Sequence, residues 1–336
     1  MLSRVTFLFG TTNFVSMNVS GVSIIICCYN SALRIKEVLE FLFKQQGLEE
    51  IPLEIIVVNN ASTDNTSEVV SSEFESMPGM NCRLVYEENP GLMYARNKGI
   101  ALAKYKYLLF CDDDNLLCDT YVKGVFTIMT SNDQIGACGG KGIELIRECE
   151  KPEWFNQFKR NYAVGSQVTD PQLTLYGAGM CIRYSAMQEI RKNGFIPFLT
   201  DRKGDNLLAG NDSEIILALR LSGYHLVASD EFFFWHLLPF KRLNERYLVN
   251  MAVGFGMMMP VISIYNLYID KKKVFSSFYL IVYFLFNSIK SLVVAIINKG
   301  LYKQFFLRYA FGQLKGIRLF RKDLSKISFV VKSISK

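Results

Sequence analysis

The sequence predicts an α/β fold: a Rossmann-like, mostly parallel sheet flanked by helices and followed by an apolar, basic helical extension. From residue 22 to about residue 145, short apolar runs alternate with amphipathic stretches, as in successive βαβ units. Half of the 336 residues are hydrophobic and 21% are charged, which is ample apolar material for a packed core. This composition excludes a disordered or low-complexity chain.

Four apolar runs predict the strands of the first half of the sheet. They are Val22–Cys28, Leu53–Val58, Arg83–Tyr86 and Tyr107–Cys111. The first, Val22–Cys28, is nearly continuous in apolar residues, which is typical of a strand that is buried on both faces, and Leu53–Val58 is predicted to be a second buried strand. Polar clusters follow these runs, and ligands of parallel sheets bind at the carboxyl ends of the strands.

The chain is expected to contain three regions. These are an N-terminal arm over residues 1–20, an α/β domain over 21–240 and a membrane-associating helical region over 241–336. Within the domain the alternation breaks down after residue 145. The long excursion over residues 146–172 is therefore expected to be functional or mobile.

The net charge of +7 hides a split between the two ends of the chain. Residues 1–240 carry 21 basic and 28 acidic side chains, whereas residues 241–336 carry 17 basic and 3 acidic ones. The front part is thus no polyanion binder, and no nucleic acid partner is expected. A tail that is both basic and apolar indicates an anionic membrane surface.

Two apolar stretches of the tail, Tyr247–Ile269 and Val274–Ile297, are long enough to cross a bilayer. Crossing would leave a basic cluster outside, against the tendency of Lys and Arg to stay on the cytoplasmic side. Helices in the membrane interface or a re-entrant hairpin avoid this conflict. The alternative is a buried helical subdomain or a dimer face.

The eight cysteines form no Cys-x-x-Cys pair, and several lie inside apolar runs, where a free thiol acts as a small hydrophobe. This usage indicates a reducing compartment. The first twenty residues lack the long apolar core of a signal peptide, so no leader is expected.

The strongest chemical signal is the acidic run of Asp112, Asp113 and Asp114 after the fourth strand. Adjacent carboxylates repel one another, and a divalent cation relieves that repulsion. A site of oxygen ligands suits Mg²⁺ or Mn²⁺ that also holds a diphosphate. The plain alternative is a solvated turn.

Other strand ends carry weaker signals. Tyr29 could stack on a planar ring, and Asn59 and Asn60 could bond a base edge or a ribose, although each turn could equally serve only to cap a helix. The first turn lacks the glycines of a dinucleotide fingerprint, which counts against a nicotinamide or flavin oxidoreductase.

Two further residues are candidates from the second half of the domain. Asp212 begins a predicted helix, where its charged form is favoured and can act as a base, although it could be an ordinary N-cap. His236 follows four aromatic residues and could be a metal ligand or a buried core histidine.

Taken in order, five segments resemble the family-two glycosyltransferases, nucleotide-sugar-dependent enzymes of the GT-A fold. The segments, spread over about residues 20–240, are "VSIIICCYN", "LEIIVVNNASTDNT", "NPGLMYARNKGIALAKYKYLLFCDDDN", "GAGMCIR" and "GNDSEIILALRLSGY". The resemblance implies a nucleotide-sugar half over residues 21–145 and an acceptor half over 146–240.

The resemblance also implies roles for individual residues. Tyr29, Asn59 and Asn60 would hold the nucleobase and ribose, and Asp112 and Asp113 would contact the ribose side. Asp114, with His236 as an extra ligand, would hold a divalent metal (Mg²⁺ or Mn²⁺) that bridges the diphosphate. Asp212 would be the general base.

The expected function is inverting transfer of a sugar from a nucleoside-diphosphate sugar, with a UDP-sugar as the expected donor. The acceptor would be a glycan or a lipid-linked glycan in surface polysaccharide or lipopolysaccharide assembly, at the cytoplasmic face of the membrane. Residues 146–172 would form a wall or lid, with Trp154 and Phe155 as stacking surfaces for a sugar.

Two positions keep an alternative open. Asn59 stands where the family commonly has Asp, and Asn211 stands where it has Glu. The alternative is a catalytically silent nucleotide-sugar-binding scaffold at the membrane. A phosphatase of the haloacid-dehalogenase type is disfavoured, because the run from Asp112 to Leu116 lacks its Asp-x-Asp-x-Thr/Val pattern.

Overall fold

A mixed sheet organises the part of the chain that the computed structural model describes, residues 19–168, 174–200 and 209–336. The predicted arm over residues 1–20 lies almost wholly outside these ranges. In chain order the strands are β1 Val22–Cys28, β2 Leu53–Asn59, β3 Cys82–Tyr86, β4 Tyr107–Asp112, β5 Asn115–Leu117, β6 Ile135–Leu145, β7 Cys181–Arg183 and β8 His225–Leu237. Their order across the sheet is β3-β2-β1-β4-β7-β6-β8-β5.

Helices cover the sheet and form the C-terminal extension. They are α1 Ile35–Phe43, α2 Thr66–Glu75, α3 Leu92–Leu102, α4 Tyr121–Ser131, α5 Phe155–Phe158, α6 Tyr184–Lys192, α7 Asn211–Leu221, α8 Glu245–Lys271, α9 Ser277–Ile297, α10 Gly300–Phe320 and α11 Leu324–Ile334. On α1, the apolar residues at helical spacing face the sheet: Ile35, Val38, Leu39 and Leu42 are all fully buried.

The first four strands are parallel and match the predicted ones to within one residue at each end. The interiors of β1, β2 and β4 are buried and largely apolar, as their apolar runs predict, whereas β3 at the edge of the sheet is only half-buried. In register, Cys28 lies beside Asn59, Asn59 beside Tyr86, and Cys27 beside Asp112. The polar turns after β1, β2 and β4 therefore meet at one edge of the sheet.

The second half of the sheet is mixed. Strand β7 is antiparallel to both β4 and β6, whereas β8 is parallel to β6 and antiparallel to the short β5. The β5–β8 pairing sets Asn115 opposite His236. A residue 121 positions further along the chain is thereby carried to the end of the acidic run.

The C-terminal helices are continuous with the α/β core. Tyr265 of α8, Phe284 of α9 and Ile327 of α11 belong to the same buried apolar cluster as Phe110 of β4 and Leu217 of α7. Helix α8 crosses α10 so closely that side chains have no room at the crossing. A Cβ on Gly256 would lie 2.8 Å from the Gln313 nitrogen, and one on Gly312 would lie 3.0 Å from the Gly256 Cα.

Helices α8 and α9 both have the length and composition of a membrane span, but they differ in burial. In its most apolar stretch α8 is 67% buried inside the protein, and α9 is only 28% buried. The predicted alternative of a buried helical subdomain therefore describes α8, whereas α9 turns most of its surface outward.

Candidate functional site

The acidic run lies at the carboxyl edge of β4 and is held by cationic side chains. Asp113 accepts hydrogen bonds from the Ser31 hydroxyl and from Arg34, whose Nη2 is 2.7 Å from Oδ2. Asp114 is buried, and its Oδ2 lies 2.9 Å from Nη1 of Arg242. Among the described residues, the Asp112 carboxylate takes part in no hydrogen bond.

The three carboxyl groups differ in proton affinity. Burial, followed by repulsion from Asp114, raises the pKa of Asp112 to about 6. The same two causes raise the pKa of Asp113. Burial would also raise the pKa of Asp114, but His236 and Arg242 beside it hold that pKa well below its usual range. The charged forms of Asp112 and Asp113 are therefore disfavoured, whereas that of Asp114 is stabilised.

His236 faces Asp114 in one defined orientation. Its Nδ1 is 2.7 Å from the carbonyl oxygen of Tyr162, and since a carbonyl can only accept, Nδ1 carries a proton. Its Nε2 is 3.6 Å from Oδ1 of Asp114. Burial lowers the pKa of His236, but the neighbouring Asp114 more than offsets this and raises it. When neutral, the ring directs the Nε2 lone pair at Asp114, as in metal-binding histidines.

The pair of Asp114 and His236 fits a divalent metal that shares its coordination with a substrate. Within the described ranges no group of three or more His, Cys, Asp or Glu side chains could hold a metal by itself. Mg²⁺ and Mn²⁺ are commonly bound by one or two protein ligands together with water and phosphate oxygens. One carboxylate and one imidazole nitrogen are therefore suitable protein ligands for such a site.

Asp212 lies in the first turn of α7 and is fixed from two sides. Arg96 of α3 donates to both of its carboxylate oxygens, with Nη2 at 3.4 Å from Oδ2. On the other side, a Cβ on Gly177 would lie 2.5 Å from the Asp212 Cγ, so only glycine leaves space for the carboxylate. Arg96 is itself nearly buried, with 8% of its side chain exposed.

Asp212 and Arg96 belong to the same electrostatic cluster as the acidic run. Both lie near enough to Asp112 to influence its pKa, which Arg96 lowers and Asp212 raises. The structure thus brings the candidate base and the candidate diphosphate site to one edge of the sheet.

The segment that carries Asp212 is anchored by two neighbouring side chains. The Asn211 amide donates to the Leu199 carbonyl at 2.9 Å, which a Glu at this position could not do. Glu214 is fully buried, and its carboxylate accepts from Phe198 N at 2.9 Å, Leu199 N at 2.8 Å and the Tyr265 hydroxyl at 3.1 Å. Helix α8 therefore supports the first turn of α7 directly.

The predicted base-binding residues occupy different settings. Tyr29 is 59% exposed at the end of β1. Asn59 is buried, donates to Ser67 at 2.6 Å and accepts from Ser62 N at 3.0 Å. Asn60 donates to the Asn89 carbonyl at 2.7 Å and accepts from Gly91 N at 2.8 Å. Both amides thus fasten turns, and Tyr29 presents an open ring.

The excursion after residue 145 corrects one expectation. Phe155 is fully buried, with its ring centroid 5.3 Å from that of Tyr162, so the expectation that it offers a stacking surface for a sugar is wrong. The Phe155 ring packs in an apolar cluster with Leu248 and Met251 of α8. Burial of this ring stabilises the fold, because it removes apolar surface from water. This packing orders Tyr162, whose carbonyl orients His236.

Three arginines of the site escaped sequence reasoning. Arg34, Arg96 and Arg242 each pair with a different carboxylate of the cluster. Arg96 stands inside the quoted "YARNKG" run, where the letters alone assign it no partner. Arg242 follows the last strand in a basic stretch, and only the folded chain brings it to Asp114.

A cleft opens beside the base between α3, α6 and α7. Arg96, Asn211 and Asp212 are among the residues that line it, and most of its lining surface is apolar. Three methionines contribute to that lining: Met93, Met180 and Met187. Thioether side chains adapt readily to the shape of a bound molecule.

Known proteins resemble this chain in sequence and in fold. An uncharacterized glycosyltransferase of Escherichia coli K12, YibD, is 34% identical over 111 residues, which cover 33% of this chain and 31% of that protein. A poly-beta-1,6-N-acetyl-D-glucosamine synthase of Staphylococcus epidermidis is 30% identical over 123 residues, 36% of this chain and 28% of the synthase. The chain thus matches about a third of the length of these relatives.

One solved structure matches nearly the whole fold. The mannosyltransferase PcManGT from Pyrobaculum calidifontis, solved with GDP-Man and Mn²⁺, aligns over 99% of this chain and 91% of its own with a TM-score of 0.53 at 16% identity. This likeness supports the predicted GT-A fold. The sequence model of glycosyl transferase family 2 matches residues 23–191, half of the chain. The predicted resemblance is confirmed, and the chain belongs to glycosyl transferase family 2.

Proposed function

We propose that the protein is an inverting glycosyltransferase that moves a sugar from a nucleoside-diphosphate sugar, with a UDP-sugar as first candidate, to a hydroxyl of a glycan or lipid-linked acceptor. The observation that carries the proposal is the closeness of the two groups: Asp212 is ion-paired with Arg96, and both lie near enough to Asp112 of the acidic run to act on its pKa. A base beside a diphosphate site is the arrangement that single displacement at a sugar carbon requires.

Asp212 would take the proton of the acceptor hydroxyl while the oxygen attacks the anomeric carbon. The bond to the nucleoside diphosphate breaks on the opposite side of that carbon, so the configuration inverts. Arg96 bonds one lone pair of each Asp212 oxygen, which orients the carboxylate and leaves further lone pairs for the hydroxyl. The absence of a side chain at Gly177 leaves room for the carboxylate in this position.

The leaving diphosphate would be received by cationic groups at the acidic run. Arg34 and Arg242 stand at Asp113 and Asp114 and can share their charge with phosphate oxygens. Asp114 and Nε2 of His236 would hold a Mg²⁺ or Mn²⁺ ion, which supplies positive charge to the leaving group when bound. The fold-level likeness to a protein that binds GDP-Man and Mn²⁺ supports this assignment.

The nucleoside would lie over the carboxyl ends of β1 and β2. Tyr29 has an exposed ring for the base, and Asp112 and Asp113 would contact the ribose side. Asn59 and Asn60 would act here by holding the turns that shape this surface. Residues 21–145 would thus form the nucleotide-sugar half and residues 146–240 the acceptor half.

The setting we propose is surface polysaccharide or lipopolysaccharide assembly at the cytoplasmic face of a membrane. Its support is the polysaccharide product in the name of the Staphylococcus relative and the exposed apolar helix α9. An enzyme held at the membrane would meet lipid-linked acceptors at high local concentration.

Release of nucleoside diphosphate from a panel of nucleotide sugars, with Mn²⁺ or Mg²⁺ and candidate acceptors, tests the function. The wild type should release it from at least one donor, and Asp212→Asn should lose the activity while keeping donor-induced thermal stabilisation. Asp230→Asn, an exposed carboxylate away from the site, is the matched control and should stay active. Donor binding without release by the wild type would instead favour the silent scaffold.

A further inference from the structure

We infer that the outward face of α9 is a membrane-binding surface that lies along an anionic lipid interface and does not cross the bilayer. The inference deepens the proposed location and is independent of the proposed chemistry. Seven side chains at helical spacing form this face: Phe278, Val282, Leu285, Phe286, Ile289, Val293 and Ile296, each between 42% and 79% exposed. At 1.5 Å per residue they make an apolar strip about 27 Å long.

The opposite side of α9 packs against the rest of the protein. Leu280, Phe284, Ser288 and Ala295 are buried there. The Ser291 hydroxyl also donates to Oε1 of Gln313 on α10 at 3.0 Å. Helix α9 therefore cannot leave the body of the protein without breaking this contact and exposing the apolar side chains that it buries.

The charges on α10 decide between crossing and lying flat. This helix packs along α9 and exposes Lys303, Arg308, Lys315 and Arg318. If α9 crossed a bilayer with α10 attached, these side chains would be drawn towards the hydrocarbon, where each charged residue is strongly unfavourable. With α9 in the interfacial plane, the apolar strip enters the acyl region and the basic side chains remain near the headgroups.

Charge also selects the occupant of this surface. Residues 272–336 carry 13 Lys and Arg side chains and a single acidic residue, Asp323. Two such surfaces from two copies of the chain would repel each other, whereas anionic headgroups attract each basic residue. Lys290 interrupts the strip with its ammonium 4.7 Å from the Phe286 ring, and its long stem can carry the charge to the interface.

Co-sedimentation of the full chain with vesicles tests the inference. The wild type should bind phosphatidylglycerol-containing vesicles at least about tenfold more tightly than pure phosphatidylcholine ones, and salt should weaken the binding. The double variant Ile289→Glu/Val293→Glu should lose about tenfold or more of this affinity, because it places charge inside the strip. Val19→Glu changes an equally exposed apolar residue elsewhere and should bind as the wild type does.

Three outcomes would overturn the inference. One is wild-type protein that ignores anionic vesicles, and another is bound protein that resists alkaline carbonate extraction, as a spanning helix does. The third is a double variant that binds vesicles normally but is a monomer in light scattering where the wild type is a dimer. That result would show that the outward face of α9 binds a second copy of the chain. Turnover of a soluble acceptor without vesicles should be equal in the wild type and the double variant. This assay tests the proposed sugar transfer separately from membrane binding.

Discussion

Replacing Gly177 by Ala should disable the proposed base without unfolding the protein. The new Cβ would lie 2.5 Å from the Asp212 Cγ. Carbon atoms in contact sit about 3.5 Å apart, so the carboxylate has to move by about 1 Å. A displacement of that size at a reacting group costs on the order of 100-fold in rate, which corresponds to about 2.7 kcal/mol in the activation free energy.

The assay is kcat/KM for sugar transfer, measured together with the melting temperature and the affinity for the donor. The atom that must yield belongs to a side chain, so the melting temperature should change little. Gly139→Ala is the matched control, because its Cβ would meet Gln167 and Leu175 at 3.4 and 3.5 Å, which is ordinary contact. That variant should keep near-wild-type kcat/KM.

The reasoning would be refuted if Gly177→Ala transferred sugar at the wild-type rate while Asp212→Asn did not. The position of the carboxylate against Gly177 would then be irrelevant to catalysis. A large fall in melting temperature with a proportional fall in active fraction would refute it as well, since it would assign Gly177 to folding and not to the base.

Three further predictions concern the groups around the base and the acidic run. Tyr265→Phe removes the hydroxyl that donates a hydrogen bond to Glu214. Urea titration should therefore find the free energy of unfolding about 1.5–3 kcal/mol lower than in the wild type. An unchanged midpoint would show that this hydrogen bond is not made. Asp112→Asn should stabilise the metal-free protein at pH 7 by on the order of 2 kcal/mol. The reason is that burial and Asp114 raise the pKa of the wild-type carboxyl to about 6, so that above this pH the folded protein holds an unfavourable charge. The advantage should shrink as the pH falls towards 5, where the wild type binds this proton, and a pH-independent difference would contradict the cause. His236→Gln should weaken Mn²⁺ binding in the presence of nucleoside diphosphate by about 10- to 100-fold, measured from free Mn²⁺ by electron paramagnetic resonance, and equal affinity would remove the histidine from the site.

The sheet edge could be predicted because its signals are local. Uninterrupted apolar runs fixed the parallel strands, and polar residues directly after them had to meet at one edge. The acidic run was predicted in this way, and Asp212 from its place at the start of a predicted helix; both act on the same electrostatic cluster.

The rest of the site depends on pairings between distant parts of the chain. His236 reaches Asp114 only because β8 lies antiparallel to β5, and Arg242 follows from the same strand. No sequence periodicity reports such a pairing. Phe155 was misjudged for a related reason, since the helix that buries it, α8, comes about 90 residues later.

The two apolar helices illustrate the same limit. Helices α8 and α9 are both long and apolar enough to cross a membrane, yet α8 is a core element and α9 is exposed. The difference arises from their neighbours: α8 lies between α7 and α10, with glycines that permit a close crossing, whereas α9 is covered on one side only. Composition alone can indicate a candidate membrane helix, but packing determines which candidate exposes an apolar face that can contact a membrane.

The anomeric configuration of the newly formed linkage, read from the proton coupling constant of the product in NMR, tests the mechanism most directly. An acceptor hydroxyl activated by Asp212 attacks opposite the departing nucleoside diphosphate, so the product should carry the configuration opposite to that of the donor sugar. A product that retains the donor configuration would contradict a single displacement and with it the role of Asp212.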